Sequence, residues 1–311
     1  MMAGQTKNSP KNWLAFDLNV LRRLTFTTVA IPFADQPALG AYLKRWNARV
    51  LCNDPVQSVW ARAIAEIANN GHKLTADEVH IILEDAYVPG YRLKNEALVS
   101  WFSEVDAWWF DNVRRNIDRL PSQMSQAIAS SIVMAVGDYA MSFNEDTREL
   151  RQPLSTVFKR LWSIQPETFN NGQTNTCANK NADDFLAETP AELMFLRLPS
   201  AHAQNLRTHL GRAAWREEWL RRGNTFWDTL EAAMSGKLGA ATETKSQYLH
   251  LLENTLRRAT HIKTWAIAHV EHGFIQTQDI VDTIAGIRRV DTVFTKDFSE
   301  LSGTKAVIIT A

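Results

Sequence analysis

Three histidines, His261, His269 and His272, stand at spacings of eight and three in the C-terminal part of the chain. Imidazole is a common transition-metal ligand, but a stable site needs carboxylates or thiolates converging with it, and none stands out nearby. These histidines read as surface or hinge residues, and no metal is expected. Ser, His and Asp are all present, yet no nucleophile elbow links them, so hydrolytic chemistry has no positive support. Cys52 and Cys177 are the two cysteines, too few for a disulfide framework or a thiolate zinc site. Both read as reduced and inert. Trp101, Trp108 and Trp109 belong to a set of eleven tryptophans and give one stretch an aromatic helix face. Such a face can stack on nucleic-acid bases. With no basic run beside it, core or subunit interface is the favoured reading. Basic residues within 216–222, at Arg257-Arg258 and at Arg288-Arg289 would touch phosphates if they shared a face, and are otherwise solvated helix surface.

Composition limits what these residues can be part of. Lys plus Arg equals Asp plus Glu, 34 each, so nothing in the total charge advertises nucleic-acid binding, although a neutral total can hide a local basic face. A chain of 311 residues with 45% hydrophobic residues buries a large core without staples. The polar start, MMAGQTKNSPKNW, lacks the apolar centre of a signal peptide. No window approaches the roughly 18 apolar residues of a membrane span. A soluble, cytoplasmic protein is the expectation.

The elements that would position a site fall into three stretches. Residues 25–31 (TFTTVAI) are β-branched and apolar and break at Pro32, which predicts a short buried strand. Pro37 then opens a helix, and 49–52 (RVLC) predicts a second strand, the start of a parallel α/β sheet. From 56 to about 162 the signals are helical only. They include a capping box at Thr75 to Glu78, one helix over 95–120 stopped by Pro121, and further helices over 122–143 and 154–162. Residues 170–180 read as a polar loop around a weak strand. Strand signals return at 191–198, 264–270, 290–294 and 306–310, with helices over 206–222, 225–234 and 247–258 between them.

The segment IPFADQPALG at 31–40, followed by AYLKRWNARVLCNDP, resembles the first motif of Dam-type N6-adenine DNA methyltransferases. In that family it reads E-P-F-A-G-x-G-A-L, then a helix, then a strand ending in N-D. The resemblance continues in order through LVSWFSEVDAWWFDNVRRNI, AVGDYAMSF, ELRQPL, NADDF at 181–185 and the strand AELMFLRLP. It implies an α/β, Rossmann-like S-adenosylmethionine-dependent methyltransferase fold. Residues 1–58 and 165–311 would form the α/β domain, and 59–164 a helical insertion at the family's DNA-recognition position.

Against that family the departures fall at the two motifs that carry the chemistry. The glycine turn that holds the cofactor in the family corresponds to Pro32, Phe33, Ala34 and Asp35, then Gln36 and Pro37. Asp35 and Pro37 replace the glycines. Proline removes an N–H donor, and Asp35 sets a carboxylate beside the place of the cofactor's own. Ile31 replaces the carboxylate that would face the cofactor's amino group. The catalytic D-P-P-Y corresponds to Arg197-Leu198-Pro199-Ser200. Arginine donates hydrogen bonds and cannot accept one from an adenine amine, and serine has no face on which a flipped base can stack. Asp54 matches the acidic residue of the cofactor ribose, and Asp184-Phe185 the acidic-aromatic pair near the adenine ring. Strand-end capping and core packing are the bland alternatives for these three.

The resemblance with both motifs altered implies a catalytically inactive homologue that acts as a DNA-binding or scaffolding protein. Its partners would be double-stranded DNA, or an active methyltransferase or other protein. No cofactor is expected, or S-adenosylmethionine if the site survives. An active adenine methyltransferase with a divergent site is the alternative. A helical protein-interaction module without a nucleic-acid role is the third.

Overall fold

The computed structural model describes residues 13–35, 37–88, 92–144, 146–271, 274–299 and 304–311. Gln36, His272 and the polar start of the chain, named above, lie outside the described residues apart from Trp13. After helix α1 (Trp13–Leu21), strand β1 (Thr28–Ile31) enters the sheet three residues later than the β-branched run suggests. Thr27 is held instead by its N–H and hydroxyl, which both donate to Glu192. Helix α2 (Pro37–Arg45) starts on proline, where a missing N–H costs nothing. Strand β2 (Arg49–Asn53) follows and pairs in parallel with β1.

Between β2 and the short strand β3 (Thr176–Ala178) lie five α-helices among the described residues: α3 (Gln57–Ala63), α4 (Ala76–Leu83), α5 (Glu104–Ile117), α6 (Gln123–Met141) and α7 (Leu154–Ser163). The capping box at α4 forms as expected: Thr75 Oγ1 accepts from Glu78 N at 3.2 Å, and Glu78 accepts from Thr75 N at 2.8 Å. The single helix expected over 95–120 is divided. Ser103 takes up an extended conformation and its side chain caps Asp106 N, so a 3-10 turn (Glu96–Ser100) precedes α5. Periodicity over 95–120 concealed a serine N-cap inside the run.

The remainder contains α8 (Ala182–Glu188), β4 (Leu193–Arg197), α9 (Leu206–Leu210), α10 (Ala214–Leu220), α11 (Trp227–Met234), α12 (Lys245–Arg258), β5 (Thr264–Glu271), α13 (Thr277–Ala285), β6 (Thr292–Phe298) and β7 (Thr304–Thr310). The helix expected over 206–222 breaks at Gly211, whose φ of 54° is left-handed. The strand expected over 290–294 forms later and longer as β6 because it pairs along its whole length with β7.

The seven strands form one sheet in the order β3-β2-β1-β4-β5-β7-β6, parallel except for β7, which is antiparallel to both neighbours. This is the expected Rossmann-like α/β architecture of the methyltransferase fold. The chain winds outward from β1 through β2 to β3, then returns to β4 beside β1 and winds the other way. The strand ends of β1 and β4 therefore form the switch point where such sheets bind ligands. Successive residues alternate between the two faces. Val29, Ile31, Cys52 and Phe195 pack towards α1 and α2, while Ala30, Leu51, Met194 and Leu196 pack towards α8, α12 and α13.

The helical body has its own core, built around Trp109, Phe110, Val133 and Phe158. Trp215, Trp219 and Leu220 of α10 join it from beyond β4. Phe102 stacks on Phe110 at 4.2 Å and meets Trp215 edge-on at 5.2 Å, and Trp219 Nε1 donates to Phe110 O at 2.8 Å. Trp109 is fully buried, so that part of the aromatic face is core. Glu218 on α10 is fully buried and accepts from Trp101 Nε1 (2.6 Å), Trp227 Nε1 (3.0 Å) and Arg207 Nε (2.7 Å). That carboxylate binds α9, α10 and α11 to the helical body.

Candidate active site

The switch point is built from strand ends. Ala34 N donates to Asn53 O at 2.9 Å, and Asn53 Nδ2 donates to Pro32 O at 3.0 Å and to Lys180 O at 2.9 Å. Asn53 Oδ1 accepts from Lys180 N at 2.9 Å. A single buried amide thus ties the turn after β1, the end of β2 and the loop after β3. In the sequence Asn53 stands out only through the N-D ending of its strand, because its partners lie on other segments. Asn179, which donates to Asp54 O at 2.7 Å, was passed over as loop polarity.

The residues matched to the cofactor turn are all in place around this amide. Pro32, Ala34 and Pro37 are buried, Phe33 is half-buried against the α12 face of the sheet, and Asp35 is exposed. Ile31 is buried among aliphatic neighbours. Asp54 is buried, and its Oδ1 accepts from Val56 N at 2.9 Å. Burial pushes its carboxyl well above the ordinary carboxylate range. The backbone donors of Val56 and Ala34 oppose that push, and the nearby carboxylates Asp35 and Glu217 add to it. Glu217 is fully buried on α10; it accepts from Ser58 N at the start of α3 and pairs with Arg221 at 2.9 Å.

Asp184 and Phe185 are adjacent in sequence and diverge in space. Asp184 is exposed in the first turn of α8, where it accepts from Asn181 Nδ2 at 2.6 Å while Asn181 Oδ1 caps its N–H at 2.9 Å. Phe185 is buried in the core with Leu186, Leu198 and Leu238. The carboxylate that faces inward here is Asp183, which accepts from Thr255 Oγ1 at 2.6 Å and Lys237 Nζ at 3.2 Å.

At the end of β4, Arg197 turns to the α1 face and forms an ion pair with Asp17. Its guanidinium carbon lies 5.2 Å from the Trp13 ring centroid and 5.7 Å from that of Phe195. The Asp17 side chain is 1% exposed and that of Arg197 11%. Burial raises the Asp17 carboxyl above its ordinary range, and Arg197 pulls the other way. Leu198 N donates to Ala268 O at 2.9 Å, and Pro199 O accepts from the Tyr248 hydroxyl at 2.8 Å. Burial drives the Tyr248 phenol upward, so it stays a donor. Ser200 is exposed.

The segment between α11 and α12 crosses both strand ends. Leu238 is buried among Phe185, Leu198 and Tyr248. Gly239 has φ of 95°, and a Cβ there would stand 3.5 Å from Phe33 and 3.7 Å from Pro199. Lys237 to Asp183, and Thr242 N to His202 O at 2.7 Å, hold the segment down. The chain thus lays Gly239 beside Phe33 of one altered motif and Pro199 of the other.

The remaining candidates do not converge on this place. His261 Nε2 lies 3.0 Å from Thr189 O, and His269 is buried in β5, its imidazole pushed down to about 4 mainly by that burial. No group of three His, Cys, Asp or Glu suited to a metal occurs among the described residues. Arg216, Arg222 and Arg257 are paired with Asp138, Asp118 and Glu253. Arg288 donates to the carbonyls of Thr260, Ile262 and Lys263 and lies 3.8 Å over the Trp265 ring. No described helix is long and apolar enough to cross a membrane.

No family model matches the chain. Among curated proteins, the type II methyltransferase M2.HphI of Haemophilus parahaemolyticus is 22% identical over 271 residues, covering 78% of this chain and 75% of that protein. The likeness runs through most of both chains.

Proposed function

We propose that this chain is a DNA adenine methyltransferase homologue that has lost methyl transfer and acts as a DNA-binding or scaffolding protein. An active methyltransferase is the protein partner this reading favours. The observation that carries it is the commitment of Arg197. At the position where the family places an acceptor for the adenine amine stands a donor, and its charge is spent on buried Asp17. The nearby carbonyl of Pro199 is itself occupied by Tyr248.

S-adenosylmethionine is the cofactor such a fold implies, and the residues here do not fit it. Pro37 offers no N–H to the turn, buried Ile31 offers no carboxylate to an amino group, and Asp35 adds a negative charge near Asp54 and Glu217. Asp54 is buried and its Oδ1 already accepts from Val56 N. Leu238 packs in one cluster with Phe185 and Leu198, and Gly239 lies beside Phe33 and Pro199.

The test is calorimetric titration of the purified chain with S-adenosylmethionine and S-adenosylhomocysteine, beside a methylation assay on duplex DNA. The reading expects no binding heat at high micromolar ligand and no methyl incorporation, with duplex binding that weakens as salt rises. Incorporation that disappears in Asp184→Ala overturns it. The second reading, an active enzyme with a divergent site, draws on the likeness to M2.HphI and on the intact Asn53-Asp54 closure of β2.

A further inference from the structure

Cys52 and Cys177 lie on either side of the helical body in the chain and meet as direct register partners in the neighbouring parallel strands β2 and β3. Adjacent strands run about 4.8 Å apart, inside the Cα separation of about 4.4–6.8 Å that a disulfide spans. Register partners project to the same face of a sheet, and both residues belong to the α2 side of this one.

The two thiols are not equivalent. Cys52 is wholly buried, and burial, with Cys177 beside it, pushes its thiol up, so it keeps its proton. Cys177 is half-buried on the edge strand, where solvent reaches it. Trp60 Nε1 donates to its carbonyl at 2.9 Å and holds that edge in place.

We propose that Cys52 and Cys177 are a redox pair that a peroxide converts into a disulfide closing a covalent loop around the helical body. The Cys177 thiolate attacks one peroxide oxygen, the O–O bond breaks, and after protonation one water leaves, with Cys177 as sulfenic acid. The sulfur of Cys52 then attacks that of Cys177. The S–O bond breaks, and the departing hydroxide takes the Cys52 proton as a second water. Two thiols lose two electrons and two protons, and hydrogen peroxide is reduced to two waters. The bridge would lock β3 to β2 immediately before Asn53 and Asp54, whether or not the chain transfers methyl groups.

The experiment uses the full chain, reduced with a phosphine and then exposed to hydrogen peroxide, with free thiols alkylated before intact mass and non-reducing peptide mapping. The expected result is joint loss of both thiols from alkylation, a monomeric chain lighter by two hydrogens, and a linked peptide pair containing Cys52 and Cys177. Dithiothreitol should restore both thiols. The melting temperature should rise on oxidation of the native chain and not of Cys177→Ser. Oxidation of Cys177 alone to sulfinic or sulfonic acid, a Cys177-linked dimer, or two thiols that both remain alkylatable would each overturn the proposal.

Discussion

The Tyr248 hydroxyl donates a 2.8 Å hydrogen bond to the carbonyl oxygen of Pro199, joining α12 to the loop that follows β4. Tyr248 is buried, so in Tyr248→Phe the carbonyl loses its partner with little water to replace it. The expected cost is about 1–3 kcal/mol of unfolding free energy, read by urea denaturation. On the inactive reading, the variant gains no methyl transfer although that carbonyl is released.

Arg197→Ala leaves Asp17 buried without its counter-charge. Breaking a buried pair by removing one partner costs about 3–5 kcal/mol, far more than the loss of an exposed pair such as Lys73 with Glu167. Thermal denaturation of Arg197→Ala and Lys73→Ala side by side checks the contrast. Equal effects would mean that Asp17 and Arg197 are well hydrated.

Asp54→Asn tests the burial of the carboxyl at the end of β2. The folded pKa of Asp54 is raised, so the folded state holds its proton above the pH at which the unfolded chain releases it. The raised value therefore costs stability at neutral pH, a cost that shrinks as pH falls below the raised folded value and is gone below the unfolded one. Asparagine keeps an oxygen for Val56 N and carries no charge. The variant should be more stable than the native chain at neutral pH, with the difference shrinking on acidification. A pH series of denaturation midpoints reads the sign directly.

Gly137→Ala sets two effects against each other. Alanine in a helix interior is favoured over glycine by about 1 kcal/mol. A Cβ at Gly137, however, would stand 2.2 Å from the ring of Trp215, which is itself fully buried. Overpacking of that kind costs about 1–3 kcal/mol, so the net change should be destabilising, with altered near-ultraviolet tryptophan dichroism. A stabilised variant with an unchanged spectrum would show that Trp215 moves aside freely.

Much of this protein was legible in its sequence because it depends on near neighbours. The β-branched run before Pro32, the proline start of α2 and the capping box at Thr75 act over a few residues; the last two form where expected and the first forms as the shorter strand β1. The replacement of the D-P-P-Y motif by Arg197-Leu198-Pro199-Ser200 was equally readable, since it is a matter of residue type alone. What those residues touch was not. Arg197 meets Asp17, Cys52 meets Cys177, and Gly239 meets Phe33 and Pro199 across long stretches of chain. Such meetings are decided by the order of strands in the sheet and by which face each residue takes, and periodicity carries no signal for either. Likewise, Trp215 and Trp219 joined the helical body only because the chain returns to it after β4. Residue chemistry and local elements were written in the sequence. The pairing of distant groups was decided by tertiary packing, because only the assembled sheet brings those groups within reach.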